Sequence, residues 1–102
     1  MRPPSDMSAV IGGLRYSVDK ATLIASDAYW DGHNWERRGR NCFLYRTEKG
    51  RYFTIRLTQW DGEKNTLEPI SQDEAISLWE GDLSEHEVEY EEAFPGVTVE
   101  DA

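Results

Sequence analysis

Residues 43–60, FLYRTEKGRYFTIRLTQW, form the most legible segment of this chain of 102 residues, because they have the pattern of two strands and a turn. A loop over residues 48–50 places Thr47 opposite Arg51, and Gly50 suits the positive φ that closes such a three-residue loop. A two-residue loop at Lys49 and Gly50 would mix apolar and polar side chains on each face. The sequence therefore predicts an antiparallel hairpin with the three-residue loop.

This register divides the hairpin into two faces, because successive side chains of a strand point to opposite sides. One face is apolar and is the predicted core, formed by Phe43, Tyr45, Phe53, Ile55 and Leu57. The other face is mixed and carries Cys42, Leu44, Arg46, Tyr52, Thr54, Arg56, Thr58 and Trp60. Any function of this hairpin is expected to use the mixed face.

Length and composition predict a single α+β domain. The chain is near the common domain size, and an aromatic content of 12% can build a small core although only 38% of the residues are hydrophobic. We expect a small antiparallel β-meander of four or five strands packed against a C-terminal helix, with a short acidic second helix. The domain is predicted over residues 10–95, between a disordered leader at 1–9 and a flexible tail at 96–102.

Further strands are predicted on both sides of the hairpin. VIGGLRYSV, residues 10–18, has the pattern of two short strands joined at Gly12 and Gly13. ATLIASDAYW, residues 21–30, is rich in residues that favour β structure. TLEPI, residues 66–70, is a short strand or an extended entry to a helix, because the residue before a proline avoids helical backbone.

The clearest helix signal is SQDEAISLWEG, residues 71–81. Ser71 and Glu74 predict a capping box at its start, and Gly81 suits the C-terminal cap. The apolar stripe of this helix is formed by Ala75, Ile76 and Trp79.

The segment SEHEVEYEEAF, residues 84–94, fits two structures. Ser84 and Glu87 form a second possible capping box, which favours a short helix. Alternation through Val88 and Tyr90 would instead suit a strand. The helix is the interpretation that we prefer.

Charge is unevenly distributed along the chain, whose net charge is −9. All 11 Lys and Arg residues lie at or before Lys64, so residues 1–64, with 8 acids, carry about +3, and residues 65–102, with 12 acids, carry about −12. Acidity disfavours nonspecific DNA binding and favours a basic protein surface as partner. The predicted contact residues are Glu80, Asp82, Glu85, Glu87, Glu89, Glu91 and Glu92. A merely solvated acidic helix and tail is the alternative.

A second hypothesis is nucleic-acid binding by the mixed face and the irregular loop DGHNWERRGRN, residues 31–41. Aromatic rings can stack on bases while arginines bind phosphates. The candidate residues are Trp35, Arg37, Arg38, Arg40, Arg46, Tyr52, Arg56 and Trp60. Alternatively, Trp30 or Trp35 covers an open edge of the core, the arginines stack structurally, or the acidic helices cover this face by pairing with them.

No residue pattern indicates an enzyme, a cofactor or a metal site. The chain lacks a nucleotide-binding glycine motif and paired-cysteine zinc spacing. Cys42 falls in a predicted strand and has no identifiable oxyanion element beside it. Asp31 with His33, or His86 with its glutamate neighbours, could contact a divalent ion but could not form a closed structural zinc site. We therefore predict a non-catalytic protein.

The single cysteine excludes an intramolecular disulfide and makes a reduced cytoplasm the simplest compartment. No apolar run approaches the roughly 18 residues that a membrane-spanning helix needs, and no secretory signal is present. We expect no membrane association.

Four segments carry a family resemblance: GGLRYSVDKATLIAS, FLYRTEKGRYF, LEPISQDEAISLWE and EYEEAFPG. In order and approximate spacing they resemble a group of short bacterial proteins often found among mobile-element and phage-like genes, and the likeness covers most of residues 12–96. Ser17 and Val18 depart from the more polar pair usual there. The resemblance implies a small sheet with a C-terminal helical segment, and it implies no established activity and no catalytic residues. One form of the predicted function is a phage or mobile-element inhibitor of a host nucleic-acid-binding system.

Overall fold

The computed structural model describes residues 2–27 and 40–102, which form an α+β fold. In chain order its elements are β1 (Ser8–Ile11), β2 (Leu14–Ser17), a 3-10 turn (Val18–Lys20), β3 (Ala21–Ser26), β4 (Arg40–Thr47), β5 (Tyr52–Thr58), β6 (Thr66–Ile70), α1 (Gln72–Glu80), β7 (Glu85–His86) and α2 (Tyr90–Ala93). Strands β1 and β2 form a two-stranded sheet. The other strands form an antiparallel sheet in the order β6-β5-β4-β3-β7.

The β4–β5 hairpin has the predicted register. Tyr45 pairs with Phe53, and the Thr47 backbone N–H donates a hydrogen bond to the Arg51 carbonyl oxygen at 2.8 Å. Gly50 adopts a φ of 83°, as the three-residue loop requires. The pattern of period two was sufficient to fix this hairpin.

The β1–β2 hairpin closes on the predicted glycine pair. Ile11 pairs with Leu14, so Gly12 and Gly13 alone form the loop, with φ values of 60° and 79°. Positive φ at both positions is the type I′ geometry that matches the twist of a hairpin. The hairpin begins at Ser8, two residues before the predicted start of the domain at residue 10.

Both faces of the five-stranded sheet are covered. The predicted core face lies under the β1–β2 hairpin, where Tyr16 packs edge-to-face on Phe53 with ring centroids 5.7 Å apart. The centre of the mixed face lies under the helices, which is one of the alternatives that the sequence left open, although no ion pair among the described residues joins a helix to the arginines of this face. There the buried cluster includes Cys42, Leu44, Tyr52, Trp79 and Phe94.

A β-bulge in β3 brings two successive side chains to the helix-covered face. Leu23 pairs with Tyr45, but the next pair is Ala25 with Leu44, which leaves Ile24 as the extra residue. Ile24 and Ala25 are both buried in the helix-side cluster, whereas Leu23 packs on the opposite side.

Helix α1 begins and ends as predicted. The Ser71 side chain accepts a hydrogen bond from the Glu74 backbone N–H at 3.1 Å, and the Glu74 carboxylate accepts one from the Ser71 backbone in return. Gly81 is the C-terminal cap, and its N–H donates to the Ser77 carbonyl at 3.1 Å. Because α1 connects the two edge strands β6 and β7, it crosses one face of the sheet and buries Trp79 there.

The predicted second helix is shorter than expected. Residues 84–89 contain the two-residue strand β7, which pairs with the end of β3, and α2 spans only four residues after Glu89. No capping box forms at Ser84 and Glu87. Burial explains the difference, because Leu83 and Phe94 are both core residues and anchor the segment at its two ends.

Candidate functional site

The seven predicted acidic contact residues lie on the helix side of the sheet and at its β7 edge, and all seven are exposed. We call them the acidic surface. Glu80 is the last residue of α1, Glu85 lies in β7, Glu89 precedes α2, and Glu92 lies within α2. They do not share one helix as the sequence suggested. They are nevertheless brought together, because one irregular segment carries five of them between its buried anchors Leu83 and Phe94, and Asp82 directly precedes the first anchor.

One ion pair reaches the acidic surface within the described residues. Arg2 Nη2 lies 3.4 Å from Glu87 Oε1, with side chains 68% and 43% exposed. An ion pair this open to water contributes little, roughly 0–1 kcal/mol. The remaining carboxylates are therefore not used to hold the described part of the fold together.

An aromatic stack supports the centre of the acidic surface. The rings of Trp79 and His86 are parallel, with centroids 3.6 Å apart, and His86 Nε2 lies 2.9 Å from the Trp79 carbonyl oxygen. A shallow groove of about 430 Å³ borders this stack and is lined also by Glu87, Glu89 and Glu92. Three carboxylates thus lie beside the stacked rings of Trp79 and His86. Sequence reasoning missed the role of His86, because Trp79 and His86 lie seven residues apart in different elements.

The predicted nucleic-acid face is not a continuous open surface. Tyr52 is 4% exposed, and its hydroxyl donates a hydrogen bond to the Ala93 carbonyl oxygen at 2.7 Å. Arg46 is half-buried, and its Nε atom has no hydrogen-bond partner within the described residues. Tyr52 therefore cannot stack on a base. Trp35, Arg37 and Arg38 lie outside the described residues.

Of the residues of that face that the structure describes, Arg40, Arg56 and Trp60 are exposed. Arg40 forms a two-pronged ion pair with Glu63, and its guanidinium carbon lies 5.8 Å from the centroid of the Trp60 ring. The hydrogen bond from Arg40 lowers the pKa of Glu63 and raises that of Arg40. Trp60 is 54% exposed. This patch is small, and one of its two arginines, Arg40, is already paired with the Glu63 carboxylate.

Cys42 is not placed as a nucleophile. The side chain is 5% exposed, and burial raises the pKa of its thiol to about 11, an effect that the nearby Arg56 charge only partly offsets. A thiol with this pKa is protonated at neutral pH, whereas nucleophilic cysteines need the thiolate.

A second groove was not predicted from the sequence. It lies between the β1–β2 hairpin and the β4–β5 turn and has a volume of about 310 Å³. Its charged lining residues are Arg15, Lys20, Glu48, Lys49 and Arg51. Arg15 and Lys20 lie far in the sequence from Glu48, Lys49 and Arg51, so the sequence alone does not show that the two groups meet.

Within residues 2–27 and 40–102, no group of three or more His, Cys, Asp or Glu side chains has the arrangement of a metal site. Nor does any helix of the described chain combine the length and apolar character needed to cross a membrane.

Comparisons with known proteins return no relative. No protein-family model matches the chain, and neither curated proteins nor solved structures yield a match. The resemblance to mobile-element and phage-like proteins therefore rests on its four sequence segments alone.

Proposed function

We propose that this protein is a non-catalytic interaction protein whose acidic surface binds a basic surface on another protein. The observation that carries the proposal is the exposure of all seven carboxylates, of which one, Glu87, has an ion pair within the described residues. Such a concentration of like charge is repulsive and contributes little to the fold. A basic partner would relieve the repulsion and would be attracted over a distance.

The groove beside the stack of Trp79 and His86 supports a specific contact within this surface. Glu87, Glu89 and Glu92 border an aromatic base, so a lysine or arginine side chain entering the groove would meet carboxylates and lay its apolar stem on a ring. Arg2, an arginine of this chain, already forms an ion pair with one of these carboxylates, that of Glu87. A partner arginine would replace or join it.

One concrete form of the proposal is an inhibitor that imitates the charge of nucleic acid and occupies the basic face of a host protein in the bacterial cytoplasm. It is supported by the charge of about −12 over residues 65–102 and by the stated resemblance to mobile-element and phage-like proteins. The buried, protonated Cys42 agrees with a role that needs no nucleophile.

Nucleic-acid binding by the hairpin is less well supported, because Tyr52 is buried and Arg40 is paired with Glu63. What favours it is the exposed Trp60 ring with Arg40 above it and Arg56 on the neighbouring strand. Among the residues that the structure describes, a single exposed ring and two arginines offer far less than the run of stacking rings usual in single-strand binding proteins.

The proposal is tested by reversing charge at Glu85, Glu89 and Glu92 together, each to lysine. Their side chains make no hydrogen bond within the described residues, so folding should be preserved. Electrostatic attraction mainly sets the association rate, so partner capture should fall sharply, and raising the salt concentration should reproduce the loss. The measurement is affinity capture from nuclease-treated lysate of the source organism, with mass spectrometry of the retained proteins.

A matched control changes the same net charge elsewhere. Asp6, Asp61 and Glu68 are exposed acids outside the acidic surface, and their reversal to lysine gives the same total charge. The control should retain the partner that the first variant loses. If the first variant retains the same proteins as the parent at every salt concentration, the acidic surface only keeps the protein dispersed and the proposal is wrong.

A further inference from the structure

The unpredicted groove concentrates positive charge in an acidic protein. Arg15, Lys20, Lys49 and Arg51 line it, against the single carboxylate of Glu48, which leaves a local excess of three positive charges. The whole chain carries −9. The chain has 20 acidic residues that could neutralise basic side chains. The four basic residues of the groove nevertheless form no ion pair within the described part of the chain.

Three separate features of the fold bring these bases together. Strand β3 pairs Ala21 with Thr47, which places Lys20 beside the β4–β5 turn. The positive φ of Gly50 reverses the chain, so that Lys49 and Arg51 lie on either side of it. The third feature is the β1–β2 hairpin, which carries Arg15.

Tyr16 fixes the position of that hairpin over the turn. Its ring is 6% exposed and packs edge-to-face on Phe53, whose partner Tyr45 stacks on it from the neighbouring strand at 5.2 Å. Arg15 is the neighbour of a buried residue in a strand, so its side chain points away from the core and toward water. The groove is therefore built by packed elements rather than by a free loop.

We propose that this groove binds a small anion that carries two or more phosphate groups. Guanidinium groups bind phosphate oxygens through paired hydrogen bonds, and lysines add point charges, so two arginines and two lysines suit two adjacent phosphates. A volume of about 310 Å³ is that of a compact ligand. The inference is independent of the acidic surface, which lies on the other side of the sheet.

The groove is not suited to a nucleic-acid strand. Binding of single strands depends on exposed aromatic rings on which bases stack, and the ring that lines this groove, Tyr16, is buried against Phe53. The recognisable part of the ligand is therefore its phosphates. A diphosphate group is the simplest ligand that would contact basic side chains on both walls of the groove, the β1–β2 hairpin and the β4–β5 turn.

Inorganic pyrophosphate is the probe that tests this assignment. Titration by calorimetry and by backbone amide NMR, at about 0.15 M salt, should show one site, with shifts at the β1–β2 loop and the β4–β5 turn. Orthophosphate should bind more weakly, because its single phosphate group can contact the basic side chains of only one wall at a time. Arg15→Gln and Arg51→Gln should each weaken pyrophosphate binding roughly tenfold, because each removes charge-assisted hydrogen bonds.

Lys64→Gln is the matched control, because Lys64 is an exposed base outside the groove and its loss changes the net charge equally. It should bind pyrophosphate as the parent does, and so should the variant reversed at Glu85, Glu89 and Glu92. Unchanged unfolding midpoints establish that the groove variants are folded. Absence of binding up to about 10 mM, or equal binding by Arg15→Gln and Lys64→Gln, would overturn the assignment. So would tighter binding of a single-stranded oligonucleotide than of pyrophosphate.

Discussion

Removal of one hydroxyl group, in Tyr52→Phe, separates the two roles that Tyr52 could have. In the structure the hydroxyl donates a hydrogen bond at 2.7 Å to the carbonyl oxygen of Ala93, the last residue of α2. The ring packs on Phe94 with centroids 5.4 Å apart. Phenylalanine keeps the ring and this packing. Only the tie between strand β5 and the C-terminal segment is lost.

The expected cost follows from burial of both partners. Ala93 is fully buried and Tyr52 is 4% exposed, so water cannot replace the hydroxyl on the carbonyl oxygen. A buried acceptor left without a donor costs about 1–3 kcal/mol. For a domain of this size, each kcal/mol lowers the melting temperature by about 4–8 °C. If Tyr52 were instead an exposed stacking ring, Phe would serve equally well and stability would not change.

Urea unfolding followed by tryptophan fluorescence measures the difference, and Tyr45→Phe is the control. Tyr45 is also a core tyrosine, 5% exposed on the opposite face, and its hydroxyl makes no hydrogen bond within the described residues. We expect its loss to cost far less than that of the Tyr52 hydroxyl. Equal midpoints for the parent and Tyr52→Phe would show that α2 does not pack on β5 as described.

Two further predictions concern the capping box and the buried thiol. Ser71→Ala should lower the free energy of unfolding by about 1 kcal/mol in the same assay, whereas Ser77→Ala, an exposed change within the same helix, should not lower it. Burial raises the pKa of the Cys42 thiol from its ordinary value of 9.0 to about 11, so the protonated thiol's contribution to stability is fully present below pH 9 and is lost as the pH rises through 11. The parent should therefore lose more stability than Cys42→Ala between those pH values, and parallel losses would contradict the burial of the thiol.

The hairpin and helix α1 could be predicted because their signals are local. Alternation along residues 43–57 identifies the face that packs under the β1–β2 hairpin, and the positive φ at Gly50 fixes the loop. The capping box needs only Ser71 and Glu74, three residues apart. In each case the interacting residues lie close in sequence, so the pattern contains the information.

Alternation along the strands could not predict which residues of the mixed face are buried. Arg46, Thr54 and Arg56 interrupt its apolar residues, which is the usual signature of a solvent-facing side. The structure buries Cys42 and Tyr52 under Trp79 and Phe94, and leaves Arg56 exposed at the margin. Which part of a mixed face a helix covers depends on where that helix crosses, and this is a long-range property.

The C-terminal segment follows each local interpretation only in part, since the strand β7 spans Glu85–His86 and the short helix α2 spans Tyr90–Ala93. No single period fits the segment, because half-buried Val88 and Tyr90 are two residues apart, whereas Tyr90, Ala93 and Phe94 have the i, i+3, i+4 spacing of a helix. Chain geometry is set there by the sheet edge, where His86 pairs with Ala25, and by the stack on Trp79. The acidic residues of this segment occupy the exposed positions between the buried ones.

The same arrangement keeps the two charged surfaces apart, with a consequence for how each can act. The basic groove lies with the β1–β2 hairpin on one face of the sheet, at the β4–β5 turn, and the acidic surface lies with the helices and β7 beyond the other face. A hairpin packed on a sheet is already about 10 Å from it, and charges are screened within about 8 Å at physiological salt. The two surfaces therefore act independently there, whereas near 0.01 M salt, where screening extends over about 30 Å, anion binding in the groove must work against the acidic field. Pyrophosphate affinity should then rise less on dilution of salt in the parent than in the variant reversed at Glu85, Glu89 and Glu92.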